Sequence, residues 1–176
     1  MATNCADDAD ALAAWMGAWP HRAALLAPGL KAVGWGLQEK LAVLDAESYV
    51  GPVDYRYRFG CPTEGAQNVP RYGTRCTPVA VTGADPRSCG YPVTFHAFVD
   101  DKSRDVALSL HVGTHTAAPV ACFTSSPGAP LVPDWAPSDV WCLIPKEPLQ
   151  ARTTYVVVAR FTGTDEVRSW EWKTGP

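Results

Sequence analysis

The segment TTYVVVARFTGTDEVRSWEWK, residues 153–173, decides the fold class. Tyr155, Val157, Ala159 and Phe161 fall on one side of an extended chain, Gly163-Thr164-Asp165 supplies a turn, and Trp170 and Trp172 alternate with Ser169, Glu171 and Lys173. Period-two alternation on both sides of a turn predicts a β-hairpin. Working back from it, Tyr91–Val99, Val106–Val112, Pro119–Phe123 and Val140–Ile144 are further short apolar runs bounded by turn residues, so six strands are expected after Gly90. One more around Tyr55–Phe59 or Asn68–Tyr72 brings the number to about seven, which suits an immunoglobulin-like sandwich.

Composition agrees with that reading. Of 176 residues 47% are hydrophobic and 19% charged, enough apolar surface to offset chain entropy, while 16 Pro and 14 Gly suit many strands joined by turns. The length excludes a TIM barrel. The net charge of −3 and the absence of a basic stripe argue against nucleic acid as a partner. No run of apolar residues is long enough to predict a membrane span. The seven Trp are read first as core anchors.

Six cysteines, Cys5, Cys61, Cys76, Cys89, Cys122 and Cys142, form an even set without a C-x-x-C pair, which favours disulfides over zinc or thioredoxin-type chemistry and implies an oxidising compartment, extracellular or cell envelope. Cys122 and Cys142 each lie on a predicted strand, so Cys122–Cys142 is the first expected bridge, worth on the order of 3 kcal/mol. Cys76–Cys89 is the second and Cys5–Cys61 the third. The opening residues, MATNCADDADALAAWMGAW, are acidic and amphipathic, so they are not expected to be a secretory signal. Instead Leu12, Trp15, Met16 and Trp19 make the apolar stripe of a helix over residues 7–19, with Asp7, Asp8 and Asp10 at its start and Pro20 as its stop. A short helical turn over Arg22–Leu26 follows, and then two strands over 32–37 and 40–45. The helix stripe is expected to dock on those strands, on the sandwich, or on a second chain. A change to Pro- and Gly-rich sequence places a domain boundary near residue 50.

The string AAWMGAWPHRAALLAPGLKAVGWG, residues 13–36, resembles the latter half of a bacterial CAP domain, the SCP-like or cysteine-rich secretory family, through Trp15-Met16, His21-Arg22, Leu25-Leu26, Pro28 and Val33-Gly34-Trp35-Gly36. Residues 52–176 resemble a bacterial immunoglobulin-like module of cell-surface proteins. The strings that carry this likeness are PTEGAQNVP at 62–70, GYPVT at 90–94, CLIPKEPL at 142–149, TTYVV at 153–157 and SWEWKTG at 169–175. The resemblance implies a mainly β chain, with a partial CAP-like α+β segment at 1–50 and an immunoglobulin-like antiparallel sandwich at 51–176. It also implies a cleft role for His21, whose family partners come from the first half of the domain, and the N-terminal helix face would then contact that half or a second copy.

Other chemistry has weaker support. His111 and His115 stand four apart, roughly 13 Å on a strand, too far to share a metal unless Gly113 turns the chain and His96 joins them. Ser109, Ser125 and Ser126 lack a G-x-S-x-G elbow, Asp100 and Asp101 point to opposite faces of a strand, and no phosphate-binding glycine loop is present, so no cofactor, metal or catalytic group is expected. Trp135 and Trp141 flank a Pro-rich loop and are candidates for stacking on a sugar or contacting a protein. The expected function is non-enzymatic binding, adhesion or spacing at a cell surface. The alternatives are a metal-binding or hydrolytic CAP-like protein using His21, or a carbohydrate-binding module using Trp135 and Trp141.

Overall fold

The computed structural model describes residues 2–3, 5–46, 51, 57–73, 88–97, 105–131 and 139–176. In chain order they form β1 (Ala2–Thr3), α1 (Asp8–Gly17), α2 (Trp19–Leu25), β2 (Gly34–Gln38), β3 (Leu41–Asp45), β4 (Arg58–Cys61), β5 (Val93–Ala97), β6 (Val106–Val112), β7 (Cys122–Ser125), β8 (Val140–Pro145), β9 (Thr154–Phe161) and β10 (Val167–Lys173). The chain is mainly β, and its named strand pairs are antiparallel.

Seven strands build two facing sheets, ordered β4-β5-β8-β7 and β10-β9-β6. Between them Val93, Phe95, Trp141, Leu143, Leu110, Val157, Phe161, Trp170 and Trp172 make the principal core. Phe95 stacks on Trp170 and Tyr155 on Trp172, with ring centroids 5.6 and 5.1 Å apart. Gly60 is where β4 crosses this core, because a Cβ there would run into the Trp170 ring. Beyond Pro62 the chain leaves β4's sheet and lies along the free edge of β10. There Gly65 N–H donates to Glu171 O (2.8 Å), Lys173 N–H to Ala66 O (2.8 Å) and Val69 N–H to Lys173 O (3.0 Å), and Val69 pairs parallel with Thr174.

The N-terminal elements form a second layer. Asp7 caps α1 by accepting from Asp10 N–H at 2.9 Å. Pro20 does not end the helical region as expected. The break falls at Ala18, and Pro20 sits in the first turn of α2, where its missing N–H costs no hydrogen bond. Trp15 packs with Cys5 and Ala42 and meets Trp35 edge-on, so that half of the stripe docks on the β2–β3 hairpin. Trp19 turns instead onto the outer face of the four-stranded sheet, beside Cys89, Cys142 and Ile144. Leu12, counted in the stripe, is 51% exposed.

The bridge Cys122–Cys142 is not formed, and the register explains why. Cys122 lies opposite Pro145 and Cys142 opposite Ser125, an offset of three residues, or roughly 10 Å along the strands. The odd offset also puts them on opposite faces, Cys142 under α2 and Cys122 toward the sandwich core. Cys5 belongs to the helix–hairpin cluster and Cys61 to the end of β4, and both are free thiols, as is Cys89. Cys76, its expected partner, lies outside the described residues.

Candidate functional site

A groove of about 490 Å³ crosses the outer face of the β10-β9-β6 sheet. Gly113, at φ +71, turns the chain at the end of β6, and the following loop folds back over the sheet. His111 fastens that loop. Its Nδ1 lies 2.7 Å from Ala117 O and its Nε2 2.9 Å from Ser109 Oγ. A carbonyl only accepts, so Nδ1 carries the proton, and in the neutral ring Nε2 accepts from the Ser109 hydroxyl. Thr114, His115 and Thr116 thereby form one wall over a floor that includes Val156. The opposite wall is Ser169, Glu171 and Glu64, with a Glu64 carboxylate oxygen accepting Glu171 N–H at 3.1 Å. Two carboxylates, an imidazole and three hydroxyls converge around an apolar floor, and among the described residues no Lys or Arg lines the groove.

Ser109 and His111 have the nucleophile–base spacing of a hydrolase, with Ala117 O as the orienting acceptor. Their partners suit a fastening better. The nearby N–H groups of Gly113, Thr114 and Ala117 already donate to Thr154, Val112 and Thr114 carbonyls, so they offer no oxyanion site.

The residues singled out from the sequence lie elsewhere. His21 is half-buried on α2, and burial holds its imidazole below the usual pKa. Trp141 is not an exposed platform. It is 6% exposed, packs in the sandwich core, and donates its indole N–H to Asp105 at 3.0 Å. Trp135 lies outside the described residues, as do Asp100 and Asp101. His96 is on the other sheet, fully buried, stacked on Phe59 at 4.4 Å, with its pKa lowered to about 3 by burial and then by the Arg22 charge. His96, His111 and His115 are thus not brought together. Among the described residues no group of three His, Cys, Asp or Glu could hold a metal, and no helix is long and apolar enough to cross a membrane.

Sequence reasoning missed the groove because its walls come from positions about 50 residues apart, Glu64, the 113–116 loop and β10, which only the strand pairing joins. The one available signal was Thr-His-Thr after a glycine at the end of a well-marked strand. No protein-family model, curated protein or solved structure matches this chain.

Proposed function

We propose that the chain is a non-enzymatic binding module of the cell surface or envelope, an immunoglobulin-like sandwich with a CAP-like segment docked on one sheet. The observation that carries this reading is the strand order. Taken as A to G, β4 to β10 fall into sheets A-B-E-D and G-F-C, the connectivity of a constant-type immunoglobulin sandwich. Such sandwiches present faces and edges for contact, and the groove on the G-F-C face is a concave polar surface suited to a ligand. The CAP-like segment contributes scaffolding: Arg22, next to His21, is buried beneath α2 and holds carbonyl oxygens.

The test is to screen the purified full chain on peptide and glycan arrays and against ester, peptide and glycoside substrates, beside His21→Ala. Saturable array binding, unchanged by the substitution and without turnover, is the expected result. Turnover or tight zinc binding that disappears in His21→Ala would reverse the assignment.

A further inference from the structure

Among the described residues the edge of β10 is only half covered. Trp170 and Trp172 face the core, and β10 pairs with β9 through a register that sets Arg168 opposite Ala159 and Trp170 opposite Val157. The backbone groups of Glu171 and Lys173 point away from β9, because they bond the 64–69 segment instead. An antiparallel strand alternates which way its N–H and C=O point, so those of Ser169 and Val167 point the same way as those of Glu171. Among the described residues no backbone group bonds them there. The segment that covers the edge stops at Glu64, whose carboxylate takes the Glu171 N–H that a further strand residue would have taken. The open stretch has no Pro and no bulge, although Arg168 and Glu166 stand beside it.

We propose that this half-edge, at the mouth of the groove, binds an extended peptide that adds a strand beside β10 and places a Lys or Arg side chain opposite Ser169. The inference rests on the binding-module reading and names the partner of that site. Side chains alternate across a sheet, so the peptide residue paired with Ser169 projects onto the same outer face as Ser169 and Glu171. There it meets the carboxylates of Glu171 and Glu64, with the Thr114 and Thr116 hydroxyls across the groove and no Lys or Arg lining it among the described residues. The backbone pairing supplies affinity, and the two carboxylates select the cation. The groove is continuous with the edge, since Ser169 and Glu64 line both.

The test uses the full chain and blocked heptapeptides of alternating Thr and Val with Arg, Gln or Glu at the centre, followed by fluorescence anisotropy and by hydrogen exchange at Ser169 and Val167. The Arg peptide is expected to bind at least tenfold more tightly than the Gln peptide, the Glu peptide more weakly still, and the two amides to gain protection. Glu171→Gln should reduce Arg binding to the level of Gln. Ser169→Pro removes only an outward-pointing N–H, so it should fold and lose all three peptides. Equal affinity for the three peptides, or unchanged binding by Ser169→Pro, overturns the proposal. So does a concentration-dependent dimer abolished by Ser169→Pro, which would assign the edge to a second copy. Array binding that survives both substitutions defeats this inference while leaving the binding-module reading intact.

Discussion

Arg22 is a fully buried cation with no carboxylate partner among the described residues. Its Nε donates to Met16 O at 2.6 Å, and one Nη donates to Pro92 O at 2.7 Å and Cys61 O at 3.2 Å, while the guanidinium lies over the Tyr91 ring. Three segments are thus tied by one fork of donors, which an ammonium cannot reproduce. Arg22→Ala should cost about 2–4 kcal/mol, read as a lower urea midpoint at unchanged slope, with Arg22→Lys recovering part of it. His96 adds a pH dependence. Its folded pKa of about 3 lies below the 6.5 of the unfolded chain, so protons favour the unfolded state. The penalty is absent above pH 6.5 and grows as pH falls toward 3, by up to about 1.4 kcal/mol per unit. Urea midpoints measured from pH 7 to 4 should therefore fall more steeply in wild type than in His96→Gln. The sequence marked neither role: Arg22 entered only as the start of a helical turn and as part of a resemblance, and burial of His96 depends on a helix that precedes it by some 70 residues.

At the scale of elements, the alternation of apolar residues made β6 and β10 legible to the residue, because each is half-buried, although His111 is buried and Val112 exposed at the end of β6. β8 carries the opposite pattern. All six of its residues are buried, since β5 and β7 flank it, α2 covers one face and the second sheet the other. That is why Trp141, beside a Pro-rich loop, is core. β7 begins later than its apolar run suggested, because Pro119 and Val120 first pair with His111 and Leu110 on the edge of β6 before the chain crosses to the other sheet. Register was the quantity the sequence withheld, and it decides the cysteines. Burial pushes the Cys122 thiol up to about 12 and raises that of Cys142 as well, so neither should be alkylated by iodoacetamide at pH 8 in the native chain, and both should be in urea. Peptide mapping that recovers Cys122 linked to Cys142 would contradict the register described above.

For the molecule as a whole, the helices join the hairpin to the sandwich. Trp15 belongs to the first and Trp19 to the second, and they are separated by the Ala18 break. Trp19→Ala should cost about 3–5 kcal/mol and split one unfolding transition into two, observed by denaturant melts followed separately by fluorescence and by proteolysis of residues 1–45. A wild-type chain that loses those residues quickly to protease while the sandwich persists would show that the layers are not coupled. Of the candidate site, only its individual residue types were legible, because a groove between Glu64 and the 113–116 loop exists only once β10 is laid beside the 64–69 segment. That same parallel pairing has a mechanical meaning. The two stretches run in one direction, so tension applied between the 64–69 segment's upstream end and Pro176 slides them past each other. Gly65, Ala66, Val69 and their partners on Glu171 and Lys173 then bear the load together rather than in succession. A chain anchored at its C-terminal end and pulled from the other would resist as a shear clamp, and a proline at Val69, which removes one of those donors, should lower its rupture force in a single-molecule pulling experiment.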